Sequence, residues 1–287
     1  MSIADLLLHV DTTKSCESRL RVALELAQRH DAHVMGAYVY PRMQVPVGFS
    51  GELPQAYIDL QREAIEEDEA TARAAFETAA QAAGVRYDWR AQTGNASDVL
   101  NALGRSFDLV VVGQYNDEAS EQTPPGLPDD VVMECGRPVL VVPYIGAAST
   151  PGKHVIVAWN GSHEAGRALN DALPLLEGAE QVHALVFGDE PPAFGSADGG
   201  ISTNGAQTNG ASDMSLHLAR HGVDVNEQRM PANDVEVGEL LLSRAADLGA
   251  DLIVMGAYGH SRLREWILGG VTRTVLGHMT VPVLLSH

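Results

Sequence analysis

Lysine is almost absent from this 287-residue chain, with Lys14 and Lys153 the only two. Neither stands in a Gly-x4-Gly-Lys-Ser/Thr run, so a P-loop is excluded. Cysteine is as scarce: Cys16 and Cys135 give no disulfide framework and no zinc-ligand spacing, and each reads as a small buried apolar residue in a reduced state. No apolar run approaches the ~20 residues of a membrane-spanning helix. The opening MSIADLLLHV lacks the basic segment and cleavage site of a signal peptide, so it reads as a first strand and a cytoplasmic location is expected. No Gly-x-Ser-x-Gly elbow appears, and no carboxylate pair stands beside a nucleophile, so catalysis has little support. Basic residues are outnumbered, 19 against 38 acidic ones, and the net charge of −19 repels nucleic acid and anionic lipid. A small anion needs only a local positive patch, because charges beyond a Debye length of ~8 Å are largely screened.

What is present is a repeat. DLLLHVDTTKSCESRLRVALELA, from Asp5, follows the same plan as HVIVAWNGSHEAGRALNDALPLL, from His154: apolar strand, polar turn, helix. DLVVVG at Asp108 matches DLIVMG at Asp251, and RPVLVV at Arg137 matches VPVLLS at Val281. Three matches in one order mark a tandem duplication. The turn-rich Pro143–Lys153 segment separates a first domain, 1–146, from a second, 151–287. In each half, strands alternate with amphipathic helices, which implies α/β architecture with parallel sheets and crossovers. In the second half, strands are expected near 154–159, 181–187, 223–229, 251–255 and 281–286. The near-continuous apolar character of LVVV and LIVM places those strands under helices on both faces. Pro41–Pro54 and Gly188–Asp213 interrupt the pattern as long loops.

In an open parallel sheet, ligands collect at the carboxyl ends of strands where the strand order reverses. With order 3-2-1-4-5, that point lies between the first and fourth strands, and in the second half it brings Asn160 and Gly256 to one crevice. The stretch GAYGHSRLREWILGGVTRTVL, Gly256–Leu276, combines glycines with Arg262, Arg264 and Arg273. Glycines admit close backbone approach to phosphate, and a helix beginning near Gly270 would supply N–H donors and a dipole of about half a positive charge. His260 lies inside this loop and could donate to phosphate.

Gly256, Gly259 and Gly269 keep the spacing Gly-x2-Gly-x9-Gly, and on that motif the chain resembles the universal stress protein family in its tandem two-domain form. The resemblance implies two Rossmann-like domains of the HUP type, each a five-stranded parallel sheet with helices on both faces. It also implies one adenine nucleotide, ATP or else ADP or AMP, with Mg2+ as a companion. Gly256 and Gly259 would lie against ribose and first phosphate, Gly269 and Gly270 with Val271 and Thr272 against the outer phosphates, Asn160 near ribose or adenine, and the backbone of Val186 against adenine. Gly270 stands where a serine or threonine is usual, leaving Thr272 as the substitute hydroxyl.

The first half keeps no second glycine after Gly113 and adds Asp117, Glu118, Glu121, Asp129 and Asp130, which would repel phosphate. Its role is expected to be structural or that of a contact surface. The two domains are expected to pair through their last strands, with room for a homodimer and a protein partner. His217 and His221, four apart on a helix, lack a third metal ligand and read as solvated or core residues. Two functions stay open: a nucleotide-binding regulatory protein with slow hydrolysis at most, and an interaction protein whose nucleotide site is vestigial.

Overall fold

The computed structural model describes residues 2–40, 54–116, 124–147, 151–187, 213–230, 237–259 and 270–287. The first half contributes β1 (Asp5–Val10), α1 (Cys16–His30), β2 (His33–Tyr40), α2 (Gln55–Ala83), β3 (Tyr87–Thr93), α3 (Ala96–Gly104), β4 (Leu109–Gly113), α4 (Leu127–Glu134) and β5 (Val139–Val142). The second contributes β6 (His154–Trp159), α5 (His163–Leu176), β7 (Gln181–Phe187), α6 (Asp213–Arg220), β8 (Asn226–Met230), α7 (Val237–Asp247), β9 (Leu252–Gly256), α8 (Gly270–His278) and β10 (Val283–Ser286). Both expected long loops fall outside the described residues, apart from Pro54 and Asp213 at their ends.

All ten strands form one sheet in the order β3-β2-β1-β4-β5-β10-β9-β6-β7-β8. Within each half the order is 3-2-1-4-5 and every pairing is parallel. The halves meet through their last strands, as the repeat implies, and among the described strands this seam alone is antiparallel, with Leu284 opposite Leu140 and Val283 opposite Val141. β8 starts three residues later than its apolar pattern indicates. Val223 instead closes the end of α6, its amide bonding the Leu218 carbonyl at 3.0 Å while its side chain enters the core.

Strand side chains alternate between two layers. Leu6, Leu8, Val155 and Val157 pack under α1, α2, α5 and α6, whereas Leu7, Val110, Ile156 and Ile253 pack under α3, α4, α7 and α8. Both layers cross the seam: Leu140 and Leu284 lie in one, and Val139, Val141, Val283 and Leu285 in the other. Pulling the halves apart would expose these six side chains, at roughly 1.5–3 kcal/mol each by transfer bookkeeping.

The acid that opens each repeated strand motif has a structural task. Asp108 accepts from the amides of Ala4 and Asp5 at 2.8 and 3.1 Å, and Asp251 accepts from Gly152, Lys153 and His154 at 2.8 to 3.1 Å. Each fastens the start of its half's first strand to its fourth. The connecting segment is held against α1, where Ala147 N donates to Ser18 at 3.0 Å and Arg29 to the Pro151 carbonyl at 3.0 Å.

Candidate functional site: two crevices at the strand ends

In the second half, β6 lies between β7 and β9. The crossover through α5 covers one face of the sheet and that through α8 the other, since Leu169 and Val275 belong to opposite layers. The crevice between the carboxyl ends of β6 and β9 is therefore a topological switch point. On the β6 side, Asn160 accepts the Ser162 amide at 3.1 Å, forming a tight turn, and Ser162 caps α5 by accepting the Ala165 amide at 3.1 Å. Val186, half-buried at the end of β7, pairs with Trp159 one residue before Asn160.

On the β9 side, each glycine admits a close approach. A Cβ on Gly256 would come within 2.5 Å of Ala165 N, so glycine at the end of β9 lets the first turn of α5 dock against the strand. A Cβ on Gly259 would meet a Glu164 carboxylate oxygen at 2.6 Å and the Ser162 hydroxyl at 3.4 Å. The crevice wall opposite Gly259 therefore carries an acid. No motif distinguished Glu164, because an acidic residue in the first turn of a helix is ordinary on dipole grounds.

Between the two glycines, Tyr258 adopts the left-handed backbone region at φ 54°. Its amide donates to the Thr272 hydroxyl at 3.3 Å, and Thr272 is only 3% exposed. The hydroxyl expected to replace the missing serine or threonine is thus engaged with the glycine segment's own backbone. Gly270, at the described start of α8, borders open space, and Val271 is half-buried against the α7–α8 layer. The structure thus brings Asn160, Gly256 and Gly259 to the start of α5, sets Val186 one strand away, and joins the glycine segment to α8 through Thr272. His260, Arg262, Arg264 and Gly269 lie outside the described residues.

The first half fills the equivalent crevice from within. Asp11, the counterpart of Asn160, accepts from Arg19 Nη2 at 2.6 Å and from the amide and hydroxyl of Thr13 at 3.0 and 2.5 Å. Arg19 is 1% exposed and also donates from Nε to the His9 carbonyl at 2.7 Å. A Cβ on Gly113 would come within 2.2 Å of Arg19 Nη1, so this glycine makes room for the guanidinium. In the second half, the counterparts of His9 and Arg19 are Ala158 and Ala168. Burial opposes the charge of Asp11, yet the Arg19 guanidinium and its hydrogen bonds hold the carboxyl well below the usual range. Burial, reinforced by Arg19, lowers the His9 pKa to about 4, so its imidazole is neutral near pH 7. The plug left one sequence signal, a charge on the buried stripe of α1 that carries Val22, Ala23 and Leu26.

The acids expected to repel phosphate in the first half divide. Asp129 accepts from the Tyr258 hydroxyl and Asp130 from the Ser97 hydroxyl at 2.9 Å, while Asp117, Glu118 and Glu121 lie outside the described residues. The rings of His217 and His221 stand 4.8 Å apart, and among the described residues no group of three metal-ligating side chains forms. A groove of about 1100 Å³ runs from the Asp11–Thr13 turn along α1 and α2, lined further on by Leu20, Leu24, Ala72, Ala75 and Tyr144. No helix among the described residues is long and apolar enough to cross a membrane.

A duplicated five-stranded α/β unit, joined through its last strands and carrying a glycine segment at a switch point, defines the class. The sequence profile of the universal stress protein family matches residues 4–143 and again 152–287, and the chain belongs to that family. It is 26% identical over 260 residues to a universal stress protein of Synechocystis sp., covering 84% of this chain and 80% of the relative. A universal stress protein from Archaeoglobus fulgidus superposes with a TM-score of 0.70 at 17% identity, covering 98% of this chain and 97% of that one. A functionally unknown protein from Pseudomonas aeruginosa superposes at 0.54 with 15% identity, covering 99% and 92% of the two chains. At such identities the structures establish the shared fold.

Proposed function

We propose that this protein is a nucleotide-responsive regulator that holds one adenine nucleotide per chain, ATP or its di- or monophosphate, in the crevice of the second half. The observation that carries this reading is the difference between the crevices. His9, Asp11 and Arg19 occupy the first, and Ala158, Asn160 and Ala168 stand at the same places in the second, where Gly256 and Gly259 bring the backbone against α5. Asn160 would face the ribose or adenine and the backbone of Val186 the base. Gly259 with the segment through His260, Arg262, Gly269, Gly270 and Val271 would face the phosphates, braced from behind by the buried Thr272. Mg2+ would screen those phosphates from Glu164. The protein acts in the cytoplasm, where adenine nucleotide is abundant, with slow hydrolysis at most.

Glu164 and the missing hydroxyl at Gly270 favour a second reading, an interaction protein whose nucleotide site is vestigial. Denaturing freshly purified protein and assaying the supernatant separates the two. The first reading expects adenine nucleotide near one per chain and a rise in melting temperature with millimolar Mg-ATP. An empty protein that ignores Mg-ATP leaves the second. Gly259→Val should abolish binding without unfolding the chain, while Gly178→Val, at an exposed glycine with open surroundings, should leave binding intact. Gly113 cannot serve as that control, because a side chain there strikes the buried Arg19.

A further inference from the structure

Among the described residues, the side chain of Tyr258 ties the glycine segment of the second half to the first half. Tyr258 stands between Gly256 and Gly259, reaches over the seam and donates its hydroxyl to Asp129, in the first turn of α4. Its backbone is held in the left-handed region, which for a non-glycine residue persists only where the surroundings over-determine it. Three contacts do so. The Tyr258 amide is bound by Thr272, the Ala257 amide donates to the Ser286 carbonyl at 2.9 Å, and the phenol is fixed by Asp129. The first two belong to the second half and the third to its partner half.

The reverse crossing is also present. Gln114, the counterpart of Ala257, is 4% exposed and donates through Nε2 to the Leu276 carbonyl of α8 at 2.7 Å. Its Oε1 accepts the Tyr144 amide at 3.1 Å. Each half thus sends a side chain from just beyond its fourth strand into a helix of the other. Only Tyr258 issues from between the glycines of the candidate nucleotide segment, which is why this crossing differs in consequence from that of Gln114.

We infer that Tyr258 is a positioning residue: its bond to Asp129 sets the backbone of the second-half glycine segment from the first half, so the crevice is complete only in the tandem chain and its occupancy is felt at α4. This deepens the nucleotide reading and rests on it for the ligand, while the latch itself exists without ligand. It also gives the ligand-free half a function, as the anchor of the other half's site and the surface where occupancy is displayed.

Amide hydrogen exchange on the full chain, wild type against Tyr258→Phe, tests it in two arms. Without ligand, the variant should raise exchange about tenfold at Ala257–Gly259 and in α4, the effect of losing one hydrogen bond to a charged acceptor, with α3 and β7 unchanged. Exchange that stays the same in both segments, or rises uniformly over the whole protein, overturns the latch. With Mg-ATP, wild type should gain protection in α4, and Tyr258→Phe should bind about tenfold more weakly and lose that distant gain. Equal affinity with equal α4 protection in the two proteins overturns the coupling. If wild type binds no Mg-ATP, the nucleotide reading fails by itself, and the ligand-free arm still decides the latch.

Discussion

The two crevices are built on the same strands and turns and differ in what fills them. At the first, the Arg19 guanidinium pairs with the Asp11 carboxylate and the His9 carbonyl beside a neutral imidazole, while Arg19 Nη1 and His9 Nδ1 stay buried without a hydrogen-bond partner. At the second, alanines and an asparagine stand in those places, Gly256 lets the strand end approach the main chain of α5, and Gly259 makes room for the Glu164 side chain. One copy of a duplicated fold can therefore fill with an internal ion pair the place that the other copy lines with small residues. The filled copy also touches its twin, through the Tyr258–Asp129 hydrogen bond.

Breaking the plug should have the largest effect. Arg19→Leu leaves the Asp11 carboxylate buried without its counter-charge, and about 3–5 kcal/mol of stability should be lost in urea denaturation. A loss below 1 kcal/mol would mean that Asp11 is solvated and the first crevice open. A smaller effect separates the halves by pH. Because the folded His9 has a pKa of about 4 against an ordinary value of 6.5, the unfolded chain binds its proton first as pH falls. The stability contributed by keeping His9 neutral is full above pH 6.5 and is lost progressively between 6.5 and about 4. His9→Ala, which installs the residue of the second half, should flatten the denaturation midpoint against pH in that window, and an unchanged slope would assign the acid sensitivity to other groups. The smallest effect sharpens the second crevice. Glu164→Gln removes the acid opposite Gly259 and should strengthen ATP binding several-fold in EDTA, with less change when Mg2+ is present. Equal gains in both conditions would place the phosphates away from Glu164.

Much of this architecture was legible in the residues. The all-apolar LVVV and LIVM runs could only be strands covered on both faces, and the order of repeated segments fixed two equivalent units. The antiparallel seam follows from joining two such units at their last strands. β8 was misjudged at its start because Val223 and Val225 alternate like strand residues, whereas Val223 belongs to the helix end before it. The site was legible only in part. Glycine spacing marks where a backbone must come close, but it does not say what comes close. At Gly256 the neighbour is the backbone of α5, at Gly259 the Glu164 carboxylate, and at Gly113 the Arg19 guanidinium. Arg19 was missed, although it lies on a buried helix stripe that could have marked it. Tyr258 carried no such mark, because its partner is 129 residues away and belongs to the other repeat.

Calorimetric titration of the intact chain with Mg-ATP bears most directly on the division of labour between the halves. One site per chain, abolished by Gly259→Val, is the expected result. Two equivalent sites would show that Arg19 does not close the first crevice, and no heat of binding at any concentration up to millimolar would show that the second crevice is not a nucleotide site.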